Sequence, residues 1–281
     1  MAAKVLATND DGVAARGFAA LVDRLERERV PTVGLAPDGN RSGVSRHATF
    51  KRPVRVVRRP GEGENGLYAC DGMPVDCVRF GMLGGLGADV ELVVSGINHG
   101  PNLGDDTLGS GTVGAAVEGA LLGARALAVS QQEQPGQLYV YDEEPGPVAA
   151  DYAAAARIAV HFVRAMLEEH VPERALLNVN IPVRLAGPEV ALTRLGRRFY
   201  SAEWLATTGE DPGAAAGFMT FGRRGAEPPP FELEGGTDFE ALAAGRVAAT
   251  PLSYAWHLEE SDGAWAEAVC TRVARELAAW V

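Results

Sequence analysis

Asn9-Asp10-Asp11-Gly12 sets two carboxylates side by side at the end of a short apolar run, Val5 to Thr8. Adjacent carboxylates repel each other, and a hard divalent cation taking oxygen donors is the usual remedy. The same residues also suit an Asx turn or a helix cap, with Gly12 supplying a permissive backbone, so alone they leave both readings open. A second polar run, Pro37-Asp38-Gly39-Asn40-Arg41-Ser42-Gly43, adds the Ser42 hydroxyl, although its residues are ordinary turn formers. A third, Ser95 to Asp105, contains Asn98, whose neutral carbonyl oxygen suits Mg2+ or Mn2+. His99 beside it reads as a proton donor, a group behind the ligands or a partly buried histidine, and the noncatalytic reading is preferred.

Ser110-Gly111-Thr112 opens a run of small residues whose first amides could hold a phosphate dianion without Lys or Arg; a plain Ser or Thr cap is the competing reading. Gly109, Gly111 and Gly114 also match G-x-G-x-x-G, but no strand directly precedes them and no suitably placed ribose-binding acid follows. That match is read as accidental.

The pattern predicts the elements that would bring these runs together. Val5 to Thr8 reads as a buried strand, Phe18, Leu21, Val22 and Leu25 recur at helical spacing, and Thr32 to Ala36 reads as the next strand. The apolar run Val90 to Ser95, a helix from Thr112 to Leu122 and a strand from Ala126 to Ser130 continue the alternation. A parallel sheet with right-handed crossovers follows, and all three polar runs fall at the carboxyl ends of its strands, the rim where such sheets place ligands. Beyond lie a surface loop from Gln131 to Pro147 and a helix from about Asp151 to Glu168 with Tyr152, Ala155, Ala159, Phe162 and Met166 inward. A strand from Leu176 to Ile181, a Gly- and Pro-rich excursion from Gly209 to Gly236, and a terminal helix striped by Trp265, Val269, Val273, Leu277 and Trp280 complete the reading.

With 281 residues, 47% of them hydrophobic, the chain can bury one large core. A net charge of -11 argues against a nucleic-acid duplex as partner but leaves a small phosphorylated substrate open, since a metal supplies positive charge locally. Cys70, Cys77 and Cys270 show no paired metal-ligand spacing and suit reduced thiols. The start lacks the long apolar stretch of a secretory signal, and no segment approaches membrane-spanning length, so a cytoplasmic protein with no membrane partner is expected.

Four segments, Asn9 to Gly12, Asn40 to Gly43, Ser95 to Gly104 and Ser110 to Ala116, together resemble the SurE family, the survival-protein E 5'/3'-nucleotidases. Gly72 to Val78, Asn178 to Pro182, and Thr237-Asp238 through Thr250-Pro251-Leu252 look like further landmarks. The resemblance implies an α/β fold: a Rossmann-like three-layer α/β/α core over residues 1–185, then a β-rich extension and C-terminal helix over 186–281 used in oligomerisation. It implies a phosphomonoesterase acting on nucleoside 5'/3'-monophosphates with one divalent ion, Mg2+ or Mn2+, in a homodimer or homotetramer. By matched position, Asp10, Asp11, Ser42 and Asn98 are the metal ligands, Asp10 and Asp11 the catalytic carboxylates, and Asn102, Ser110, Gly111 and Thr112 the phosphate-binding residues. Three departures bear on the substrate: Gly109 stands where the family usually has an aromatic residue, Gly72-Met73-Pro74 replaces Gly-Thr-Pro, and Asp211-Pro212-Gly213 leads through alanines to Phe218-Met219-Thr220-Phe221. Gly109 and Met73 are both expected in the substrate pocket. A specialised phosphorylated intermediate, an aspartyl-phosphate route through Asp10, and a noncatalytic nucleotide or phosphate-ligand sensor are the competing readings.

Overall fold

The computed structural model describes residues 4–59, 66–87, 89–138, 150–187, 190–200, 205–208, 218–221, 231 and 233–254. The predicted alternation is present. Strand β1 (Val5–Thr8) leads through helix α1 (Arg16–Arg27) to β2 (Thr32–Pro37), with Phe18, Leu21 and Leu25 of α1 fully buried. Two short strands, β3 (Val56–Arg58) and β4 (Leu67–Cys70), come next, then helix α2 (Pro74–Met82), opened by a proline at its first turn, where no amide partner is needed. Strand β5 (Leu92–His99), helix α3 (Gly111–Leu121), β6 (Arg125–Gln131), α4 (Tyr152–Glu168) and β7 (Ala175–Ile181) follow. The later part adds β8 (Val190–Leu192), a hairpin of β9 (Leu205–Thr208) and β10 (Phe218–Phe221), helix α5 (Asp238–Ala243) and β11 (Val247–Ser253).

Nine strands form one sheet in the order β3-β4-β2-β1-β5-β6-β7-β11-β8. The six strands from β4 to β7 are parallel; β3 and β11 run antiparallel to their inner neighbours. Helices α1 and α4 pack together on one face and α2 and α3 on the other, which makes three layers. Strands β8 and β11, from the 186–281 segment, continue the sheet built by residues 1–185. The expected terminal helix from Trp265 to Trp280 and most of the Gly209 to Gly236 excursion lie outside the described residues.

Chain order reverses direction at β1: the next strands go to β2 on one side and β5 on the other. The helices that follow β1 and β5, α1 and α3, cover opposite faces, so a crevice opens between the carboxyl ends of β1 and β5. Strand β5 also runs beyond its expected end. It stays paired to β6 through Asn98 and His99 after a register shift between Ser95 and Asn98, which carries Asn98 to the rim on a strand rather than a loop.

Candidate active site

A cleft of about 520 Å³ lies at this switch point, and Asp10, Ser42 and Asn98 are among the residues that line it. The β1 loop is fixed by Asn9, whose side-chain amide donates to the Gly12 carbonyl at 3.0 Å while its oxygen accepts from the Gly12 amide at 3.2 Å. Gly12 has φ +104°, and a Cβ there would stand 2.9 Å from the Gly39 backbone, so only glycine lets the first two rim loops touch. The Arg41 amide donates to the Asp10 carbonyl at 2.6 Å and joins them further.

Asp10 is 3% exposed. Its Oδ1 accepts the Thr112 hydroxyl at 2.5 Å, and that hydroxyl also lies 3.1 Å from Asn98 Oδ1. Asn98 is oriented by its own amide nitrogen, which donates to the Gly100 carbonyl at 2.8 Å and turns the oxygen toward the carboxylates. The His99 amide donates to Asp11 Oδ2 at 3.1 Å, and the imidazole Nδ1 lies 3.9 Å from Asp11 Oδ1. Burial, then the neighbouring Asp11 charge, pushes Asp10 up to about 7 against the pull of Thr112. Burial, with Glu133 adding to it, pushes Asp11 up to about 7 as well, although the His99 amide holds it down. Burial pushes the His99 imidazole below its usual range, which leaves it neutral at pH 7 and unsuited to deliver a proton.

Asp10, the Asn98 carboxamide and the Ser42 hydroxyl line the cleft, while Asp11 is not among the lining residues and follows Asp10 with its carboxylate held by the His99 amide; these hard oxygens are of the type that fits Mg2+ or Mn2+. Among the described residues no group of three His, Cys, Asp or Glu side chains is placed to hold a metal, so this mixed set is the arrangement on offer.

The phosphate-binding expectations divide. Asn102 and Ser110 line the cleft. Ser110 also N-caps α3, accepting from the Val113 amide at 3.1 Å, which is the cap of the competing reading. Thr112 is fully buried and its hydroxyl faces Asp10 and Asn98, which makes it an anchor for the donor set. Gly111 is the point of closest approach: a Cβ there would meet Asp10 Oδ2 at 2.7 Å and Val44 at 3.1 Å. Gly111→Ala is therefore expected to displace Asp10 and lower metal-dependent phosphate release about 10–100-fold, the scale of disturbing a group that orients a ligand. An unchanged circular-dichroism spectrum in the same variant would place the loss in the site.

Asn102 is held from the sheet. Its amide donates to Asn180 Oδ1 at 2.8 Å, its carbonyl accepts from Asn178 and Asn180, each at 2.9 Å, and its side-chain nitrogen donates to Ser130 Oγ at 2.8 Å. Asn180→Ala strips a buried amide of its acceptor, and a urea midpoint lower by about 1–3 kcal/mol of stability is the expected reading.

Asp105, Asp106, Gly109 and Tyr200 also line the cleft; of these only Gly109 was expected there. Arg198, whose side chain is 1% exposed, is ion-paired with Asp106, Nε lying 2.6 Å from Oδ2, and its guanidinium lies 4.8 Å from the centre of the Phe239 ring. Asp238 ties the wall together by accepting from the Gly104 and Gly196 amides, both at 2.8 Å. The available signal was Thr237-Asp238-Phe239-Glu240, a capping pattern that opens α5; Thr237 accepts from the Glu240 amide at 3.3 Å. Of the two departures expected in the pocket, Gly109 is there. Met73 is not among the lining residues; it N-caps α2, where its amide donates to Asp76 at 2.8 Å.

Known proteins share this arrangement of sequence and fold. The family model described as Survival protein SurE matches residues 5–202. A 5'-nucleotidase SurE of Anaeromyxobacter sp. (strain Fw109-5) is 42% identical over 264 residues, 93% of this chain and 92% of the relative. One of Vibrio cholerae serotype O1 is 41% identical over 259 residues, covering 89% and 90%. The crystal structure of a SurE protein from Aquifex aeolicus superposes with a TM-score of 0.71 at 32% identity, over 92% of this chain and 96% of that one. A match of this extent to the model, joined to relatives similar over nearly their whole length, makes this chain a member of the SurE family.

Proposed function

We propose that the chain is a divalent-metal-dependent phosphomonoesterase that hydrolyses nucleoside 5'- and 3'-monophosphates to nucleoside and phosphate. The observation that carries it is Asp10, buried on a cleft that Ser42, Asn98 and Ser110 also line, with its oxygen and that of Asn98 meeting at the Thr112 hydroxyl and the little-exposed Asp11 carboxylate next to it in the chain. Relatives named 5'-nucleotidase support the substrate class.

Asp10, Asp11, Ser42 and Asn98 would hold Mg2+ or Mn2+. Such an ion, when bound, neutralises phosphoryl charge and acidifies water. The chain's own contribution is placement. Asn98 and Thr112 keep Asp10 in one orientation, and the His99 amide does the same for Asp11. Ser110 and Gly111, at the positive end of the α3 dipole, orient the phosphate, with Asn102 beside them. Asp10 and Asp11 are the groups able to take the proton from the attacking water, since their burial raises their affinity for it. The same reading gives a homodimer or homotetramer assembled through the 186–281 segment, which light scattering on the purified protein would measure.

The test is phosphate release from nucleoside mono-, di- and triphosphates and sugar phosphates, each with EDTA, Mg2+ or Mn2+. Metal-dependent release favouring monophosphates is expected. Release that persists in EDTA, or an acid-stable phosphoenzyme, would overturn the scheme.

A further inference from the structure

The donor set, Asn102 and Ser110 account for part of the cleft lining and leave another part unused. There Tyr200 lines the cleft with 52% of its surface exposed. Its hydroxyl bonds the Asp106 carboxylate, whose second oxygen is ion-paired with the buried Arg198. Arg198 is held in turn over Phe239, next to the Asp238 hub. An exposed ring anchored at its hydroxyl tip by a buried ion pair has little rotational freedom left to lose when a flat partner settles on it. Gly109 lines the same cleft, and a Cβ built there meets nothing within 4 Å. The cleft wall therefore carries unused space at Gly109 where a side chain would fit.

We propose that Tyr200 and Gly109 determine the leaving group: the Tyr200 ring stacks against a planar base, and the space at Gly109 gives that base room. This rests on the phosphomonoesterase reading and adds to it the part of the substrate beyond the phosphoester. Asp105 and Asp106 line the same cleft, and carboxylates suit hydrogen-bond donors of the leaving group, such as sugar hydroxyls and ring amino groups. The cleft is within the volume range of small-molecule sites, so a phosphate at α3 and a base at Tyr200 fit in one pocket.

The experiment compares kcat/KM for adenosine 5'-monophosphate with that for ribose 5-phosphate, the same phosphoester on the same sugar without the base. The wild-type chain is expected to favour the nucleotide. Tyr200→Leu is expected to lower the ratio about tenfold, mostly through KM, in line with the loss of one base-aromatic stack. Tyr200→Phe, which keeps the ring, should retain most of it. Gly109→Phe fills the space and should lower the ratio with Tyr200 intact, which keeps the test open if Tyr200→Leu folds poorly. Equal ratios in the wild type, Tyr200→Leu and Gly109→Phe would overturn the stacking wall. A wild-type chain that hydrolyses ribose 5-phosphate as well as the nucleotide also overturns it and leaves the phosphomonoesterase reading standing, whereas release from neither overturns both.

Discussion

Asp10→Asn is expected to give a folded protein whose metal-dependent phosphate release falls about 1,000-fold or more and whose metal-free form melts at a higher temperature. The loss follows from removing one of two carboxylates that would hold the ion: several kcal/mol of charge stabilisation depend on it, and each 1.4 kcal/mol is a factor of ten. The gain has a separate cause. Asp10 and Asp11 are buried beside each other, and without a cation their charges have nothing to offset them. An asparagine keeps the oxygen that accepts from Thr112 and removes the repulsion. A rise of about 2–6 °C, from the relation between stability and melting temperature for chains of this size, is expected by calorimetry in EDTA at pH 8. A lower melting temperature together with retained turnover would remove Asp10 from the donor set.

The second large effect is on pH. Both carboxyls have folded-state values near 7, above the ordinary value of 3.8, so between those limits the folded chain keeps protons that the unfolded chain has released. Protonation therefore favours folding in that window, and the metal-free protein loses stability as pH rises from about 4 to 7. Across the window the loss is on the order of a few kcal/mol, or about 5–10 °C in Tm. Added Mg2+ or Mn2+ should restore it, with a shift that grows with pH because ligands must be deprotonated to bind. Thermal melts at steps of pH, with EDTA and with each ion, check this. A metal-induced shift that is the same at pH 5.5 and pH 8 would contradict it.

The sequence revealed the three rim loops because each polar run follows an apolar one, and strand ends of a parallel sheet share an edge. It could not reveal which way side chains turn once there. Thr112 reads as the second residue of an anion-binding helix start, yet its hydroxyl faces Asp10, because Gly111 lets α3 approach so closely that the carboxylate occupies that position. Asn98 reads as a loop residue, yet strand pairing holds it, because the register shift after Ser95 lets β5 continue. The Tyr200 wall left still less trace. Arg198 meets Asp106 across 92 positions, Asp238 meets Gly104 across 134, and no local periodicity encodes either. Strand β11 carries Pro251 and sits next to the short edge strand β8, so its composition hides its place in the sheet.

The hydrogen bonds that shape the donor set join residues far apart along the chain: Thr112 lies 102 positions from Asp10, and the His99 amide 88 from Asp11. No contiguous stretch can present these oxygens together before β1, β5 and α3 have closed on one another. A cation held by this set would have no comparable site on the unfolded chain, so its entire binding free energy would count toward folding. The resting population of folded molecules would then follow the concentration of free divalent ion, making the supply of that ion a control on how long the chain survives as well as on how fast it works.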